Sequence, residues 1–126
     1  MNTELRTAIE NKGRLIEGLS ERFYYMEAPE TVEYPYSVFS FVTNLPSRDS
    51  ATKFEDFYLQ INLYDTNGIR IELMKERFFS AFDDSERDYA LPSYNFDRIE
   101  RQFAKPLKAD KVFQISFQYK IELTKK

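Results

Sequence analysis

The chain has 126 residues, 31% of them charged and 42% hydrophobic, and a formal net charge of −3. It contains no histidine and no cysteine, which excludes thiol nucleophiles, disulfides, thiolate metal sites, Ser–His triads and imidazole general bases. The mild acidic excess, with basic residues scattered singly apart from Lys125-Lys126, gives no drive toward nucleic-acid phosphates.

This length predicts a single domain over residues 1–126, able to bury roughly 65–70% of its unfolded surface. Its apolar content is carried by rings, 12 Phe and 9 Tyr with no Trp, and rings favour pleated faces and partner surfaces. Met1-Asn2-Thr3-Glu4 lacks the basic-then-apolar pattern of a signal peptide. No apolar run approaches the ~20 residues of a membrane helix. The expectation is a soluble cytoplasmic protein.

Leu5, Ala8, Ile9, Leu15, Ile16, Leu19 and Phe23 recur at helical spacing, with Glu4, Arg6, Glu10, Arg14, Glu17 and Glu21 facing away. This predicts a first helix reaching toward Phe23, capped by Asn2 or Thr3. Gly13 falls inside it at a cost of about 1 kcal/mol relative to alanine, marking either a bend or the close approach of a neighbour. Phe23-Tyr24-Tyr25-Met26 has strand composition and is ended by Ala28-Pro29-Glu30. Tyr36 to Thr43 reads as a strand with Phe39 and Phe41 on one face and Tyr36, Val38 and Val42 on the other. Pro35 stands just before its start, where a missing donor is tolerated.

Asn44 to Lys53 has no apolar period and predicts a polar loop, either a solvated connection or a docking loop. From Phe57 to Tyr64 the residues alternate, Phe57, Leu59, Ile61 and Leu63 on one side and Tyr58, Gln60, Asn62 and Tyr64 on the other. Asp65-Thr66-Asn67-Gly68 breaks this strand, and Ile71, Met74, Phe78, Ala81 and Phe82 then mark a helix from Ile69 to Phe82. Leu73 and Phe79 lie off its main stripe. Asp83-Asp84-Ser85-Glu86-Arg87-Asp88 is acidic but lacks the calcium-loop pattern, so it reads as a solvated helix end rather than a metal site. Tyr94 to Phe103 fits an exposed or interfacial strand, Lys105 to Asp110 a turn, and Val112 to Leu123 a closing strand with one dry face. The predicted fold is α+β: an antiparallel sheet of about four or five strands with two helices packed on one face, in the order α-β-β-α-β-β.

Chemistry is sparse. Carboxylate pairs such as Asp56 with Asp65, or Asp97 with Glu100, are what a chain this charged contains in any case. Gly13, Gly18 and Gly68 are too scattered to cradle a phosphate. No catalytic, cofactor-binding or metal residue is predicted.

The order of elements resembles the tail terminator, or tail completion, family of long-tailed bacteriophages and prophages, small minor tail proteins encoded among the head–tail joining genes. The resemblance runs through the leading helix, Tyr25-Met26-Glu27-Ala28-Pro29, and Tyr34-Pro35-Tyr36-Ser37-Val38-Phe39, similar to the family's aromatic-Pro-Tyr opening of a strand. It continues through the Asn44–Lys53 loop, the strand Phe57–Tyr64, the helix Ile69–Phe82 and the closing strand Val112–Leu123. The acidic segment at Asp83–Asp88 and the high Tyr and Phe content depart from many relatives.

The resemblance implies a non-catalytic virion protein, assembled in the host cytoplasm, at the head-proximal end of the tail. There it forms a homo-oligomeric ring, commonly a hexamer, that caps the tail tube, ends its polymerisation and offers a surface for head–tail joining. The implied partners are other copies of the chain, the major tail tube protein and the head completion or connector proteins, without cofactor, membrane or sequence-specific nucleic acid. A ring needs two different patches that meet; Tyr36 and Val38 on the two-sided strand, and Leu73 and Phe79 on the second helix, are the candidates. Arg48, Asp49 and Lys53 are the candidate tube contacts. The alternatives are a head–tail connector (neck) protein, or a non-phage α+β binding module with a groove lined by Tyr34, Tyr36 and Tyr64.

Overall fold

Helix α1 (Thr3–Arg14) starts where the Asn2 side chain accepts the Leu5 amide at 2.9 Å, with Glu4 in its first turn and Lys12 and Arg14 in its last. Those charges complement the helix dipole. The computed structural model describes residues 2–46 and 54–126. In chain order it continues with β1 (Phe23–Tyr25), β2 (Tyr36–Pro46), β3 (Phe54–Asp65), α2 (Gly68–Phe82), a 3₁₀ turn at Glu86–Asp88, β4 (Tyr94–Ala109) and β5 (Val112–Lys125). The α+β prediction is correct. The five strands form one sheet in the order β1-β2-β3-β5-β4, with β1 parallel to β2 and every other pair antiparallel.

The sheet is built on β3 and β5, which pair over twelve positions from Phe54↔Thr124 to Asp65↔Phe113. Their alternation places Phe57, Leu59, Ile61 and Leu63 beside Ile121, Tyr119, Phe117 and Ile115, all buried. Both helices cover this face: α1 through Leu5 and Ile9, α2 through Ile71, Met74, Phe78 and Phe82. Rings fill the layer between. Phe78 meets Phe117 edge-on at 5.5 Å, and Phe82 lies 6.0 Å from Tyr119. At about 1.5–3 kcal/mol per fully buried large apolar side chain, this one face supplies most of the drive to fold.

The first helix is shorter than its periodicity predicts. It ends at Arg14; Leu15 is 83% exposed, while Ile16 and Leu19 remain buried in the turns that follow. Gly18, Ser20 and Glu21 adopt left-handed backbone, at φ 87°, 52° and 63°, which no helix accommodates. The break returns the chain so that Phe23 in β1 stacks on Phe39 at 4.6 Å and lies flat against Gly13. A Cβ at residue 13 would stand 2.3 Å from two ring carbons. Of the two readings of Gly13, close approach is the one observed.

The turn after β3 is tied by Asp65, whose side chain is fully buried. Its Oδ1 accepts the amides of Thr66 at 2.7 Å and Asn67 at 3.2 Å, and Arg70 clamps both carboxylate oxygens at 2.7 and 2.6 Å. Asn67 then caps α2 by accepting the amides of Ile69 and Arg70. Burial pushes the Asp65 carboxyl up, but the Arg70 hydrogen bonds, the two amides and the Arg70 charge outweigh it, so its pKa lies below the ordinary value.

Two further boundaries differ from the sequence reading. β2 runs on to Pro46, so the polar loop begins later than Asn44; Arg48, Asp49 and Lys53 lie outside the described residues. Lys105 to Ala109 is strand rather than turn, because β4 is an edge strand where Pro106 removes no ladder bond that the sheet needs. The chain reverses only at Asp110-Lys111, with Asp110 at φ 59°.

Gly13→Ala is expected to destabilise the fold by about 1–3 kcal/mol in urea denaturation, because overpacking against Phe23 outweighs the gain in helix propensity. An unchanged or raised midpoint would show that Phe23 can move aside. Asp65→Asn should cost about 2–3 kcal/mol at neutral pH by leaving Arg70 and the turn amides poorly matched. Because the folded pKa of Asp65 is lowered, its contribution is complete above the unfolded value of about 3.9 and is lost as pH falls through the folded value. The difference between wild type and variant should therefore shrink as pH drops below about 4.

Candidate interaction surfaces

The face of the sheet away from the helices is half-exposed and has two characters. Across β3 and β5, Asn62 Oδ1 accepts from Ser116 Oγ at 2.6 Å and from Gln60 Nε2 at 3.2 Å. Gln114 Nε2 donates to Ser116 Oγ at 3.0 Å. These side chains satisfy one another and leave a flat amide-rich strip. Beside it, Tyr64 stacks on Tyr36 at 4.9 Å, and Tyr34 lies 5.5 Å beyond Tyr36. Burial raises the phenol pKa of both Tyr36 and Tyr64, so they stay neutral over the physiological range.

Tyr36 and Val38 thus share this outer face, where β2 lies one strand in from the β1 edge. Leu73 and Phe79 are on α2, on the opposite face, with α2 lying over β3 and β5. Leu73 is 50% exposed and Ile69, one turn earlier, 86% exposed, an apolar pair at i,i+4 spacing that the sequence reading reached only through Leu73. Phe79 is half-buried. Its ring meets Phe117 edge-on at 5.6 Å, and the Arg101 guanidinium covers it at 3.7 Å. The four residues therefore fall into two separate patches on opposite faces.

Arg101 also joins the acidic segment to β4. Its guanidinium is 3.3 Å from Asp83, and Asp83 accepts a 2.5 Å hydrogen bond from the Tyr119 hydroxyl. Burial, reinforced by the adjacent Asp83 carboxylate, holds the Tyr119 phenol far above its ordinary pKa. Further along, Asp88 pairs with Lys12 at 2.7 Å, and Ser85 is buried against Tyr89. The segment predicted as solvated is therefore partly tied down: three cross-links hold it to α1, β4 and β5. Among the described residues no group of three carboxylates is gathered as a cation site.

The carboxylate pairs named from the sequence are not brought together for chemistry. Asp56 and Asp65 stand nine positions apart on β3, about 30 Å at strand rise. Asp97 accepts from the Thr124 hydroxyl, and Glu100 pairs with Arg98 on the exposed edge. A cleft of about 450 Å³ separates the end of α1 from α2, lined by Leu15, Ile16, Glu17 and Arg77, with Arg77 donating to the Glu17 carbonyl at 2.9 Å.

Neither a protein-family model nor a curated protein sequence matches this chain. Solved structures do. A chain from the virion of a native gene transfer agent particle superposes with a TM-score of 0.73 at 11% identity, over 95% of this chain and 94% of that one. A second solved chain superposes with a TM-score of 0.66 at 14% identity, over 98% of this chain and 96% of its own length. The fold is therefore shared end to end with these proteins.

Arg101→Ala should cost about 1 kcal/mol in denaturant unfolding, by uncovering Phe79 and leaving Asp83 to Tyr119 alone. Arg101→Lys keeps the charge but not the flat guanidinium, and is expected to recover less than the full loss. Full recovery by lysine would show that stacking on Phe79 contributes nothing.

Proposed function

We propose that this chain is a structural protein of a phage-like particle, acting as a tail terminator: a ring of copies that caps the tail tube, ends its growth and offers the surface for head–tail joining. The observation that carries this reading is the fold likeness, over nearly the whole of both chains, to a component of an assembled virion. The placement of the candidate patches supports it. Tyr36 and Val38 lie on the outer face toward the β1 edge, and Leu73 and Phe79 lie on the helix that covers β3 and β5, so the two patches are unlike, as the heterologous contacts of a closed ring require. The tube contact is assigned to the segment after β2, with Arg48, Asp49 and Lys53. The work of such a protein is geometric; no bond is made or broken.

A second reading is favoured by the row of Tyr34, Tyr36 and Tyr64. In it the chain is a small α+β binding module unrelated to phage, with that row as its groove; within phage structure the alternative is a head–tail connector at the neck, facing the portal side. The ring reading predicts a defined oligomer by light scattering, and tubes of uniform length when the chain is added to polymerising tail tube protein. Leu73→Asp should weaken association by at least about tenfold, the scale of a central interface residue, while leaving the melting curve unchanged because the side chain is exposed. A chain monomeric at every concentration, or tubes whose length ignores it, would exclude the terminator role.

A further inference from the structure

Two exposed segments of opposite charge sit on opposite edges of the sheet and at the same level along it. The level follows from the register: Tyr36 is beside Tyr64, Tyr64 beside Gln114, and Gln114 beside Leu107. Glu33 and Tyr34, which lead into β2, therefore stand in the same row as the tip of the β4–β5 hairpin. Sheet order places the first at the β1 edge and the second at the β4 edge. Four strand spacings separate β1 from β4, about 19 Å, too far for the two segments of one chain to meet.

The connection from β1 to β2, residues 26–35, exposes Glu27, Glu30 and Glu33 and contains no lysine or arginine. The hairpin end exposes Lys105, Lys108 and Lys111 against the single acid Asp110. None of these six charges forms an ion pair among the described residues. This sets them apart from the charges at Asp65, Asp83 and Asp88, each of which has a cationic partner. Each segment also has exposed apolar residues beside its charges. Met26 is 63% and Tyr34 36% exposed on one side, and Phe103 and Leu107 are each 44% exposed on the other. Apolar anchors within a charged rim are the anatomy of a protein interface, and the charges on the two sides are complementary.

We propose that the glutamate-bearing loop at 26–35 docks the lysine-bearing hairpin of a second copy of this chain, head to tail. The proposal rests on the ring reading above and supplies its lateral contact. A cyclic ring whose axis runs along the strands keeps every copy at one height. A feature on one edge then meets whatever lies in the same row on the neighbour's other edge. Here Glu33 stands level with the hairpin tip, and Glu27, beside the Met26 amide that donates to the Phe39 carbonyl, stands level with Ala104, next to Lys105. Like edges would repel, which disfavours the two-fold dimer and directs the chain toward closure in one sense.

The test uses the whole chain and light scattering. E27K/E30K/E33K and K105E/K108E/K111E should each be monomeric where wild type associates, with unchanged melting curves because every substituted side chain is exposed. Mixed in equal amounts, the two variants should associate again, since each supplies the charge that the other lacks. Raising salt from about 0.1 M to about 1 M, which cuts the screening length from about 10 Å to about 3 Å, should weaken the wild-type assembly. If wild type associates while both variants associate equally well, or the mixture stays monomeric, the docking is wrong although the ring stands. If wild type never associates, the ring reading itself falls, and the docking with it. Should a variant fail to fold, carbodiimide coupling of mixed isotope-labelled wild-type chains decides. Links between copies joining Glu27, Glu30 or Glu33 to Lys105, Lys108 or Lys111 support the docking, and links between copies found only elsewhere overturn it.

Discussion

The pairing of β3 with β5 is the constraint on which the other elements depend. Twelve consecutive pairs run without a bulge, and both strands alternate apolar with polar along their shared length. A slip of one residue would turn Leu59, Ile61, Phe117 and Tyr119 to the wet face, and Gln60, Asn62 and Gln118 under the helices. The register is therefore held by hydrophobic burial on one side and by the amide and hydroxyl strip on the other. Both helices, the short parallel strand and the edge hairpin attach to a platform already defined by that register.

The two faces of the platform have different uses. The helix-covered face is closed by rings, with Phe23, Phe39, Phe78, Phe82, Phe117 and Tyr119 in mutual contact, so little of it is left to offer a partner. The open face is half-exposed and internally hydrogen-bonded, and the segments 26–35 and 105–111 at the two edges carry charges that form no ion pair among the described residues. In the assembly role proposed above, this open face and these edges would make the contacts, with affinity coming from many copies meeting in one geometry.

Several elements were legible from residue order because a single local period decides them. The alternation in Phe57–Tyr64 and Val112–Leu123, and the stripe of Ile71, Met74, Phe78 and Phe82, each point one way. The errors have a common cause: local signals that tertiary context reuses. Ile16, Leu19 and Phe23 continue the spacing of α1, yet they are buried from turns and from β1, because left-handed residues at Gly18, Ser20 and Glu21 redirect the chain. Lys105-Pro106 has turn composition, but an edge strand tolerates proline. Of the candidate interaction residues, Leu73 stands out in the sequence by its position off the stripe, and its side chain is half exposed. Ile69, more exposed still, gives no such signal because it stands in the first turn of the helix, at its solvent end. The lysines and glutamates at the sheet edges gave no signal as a pair, since residues 27–33 and 105–111 become related only through strand order.

By itself the sequence determined the α+β class, the absence of thiol and imidazole chemistry, the dry and wet faces of the central strands, the cap of the first helix at Asn2 or Thr3, and the apolar stripe of the second helix. These depend on composition and on neighbours within a few residues. Only the tertiary structure decided the parallel entry of β1, the shortened first helix, the role of Gly13 as a seat for Phe23, and the reach of the final hairpin. It alone placed opposite charges on opposite edges in one row. Each of these depends on contacts between residues far apart in the chain, whose energies exist only once the β3–β5 register has brought those residues together.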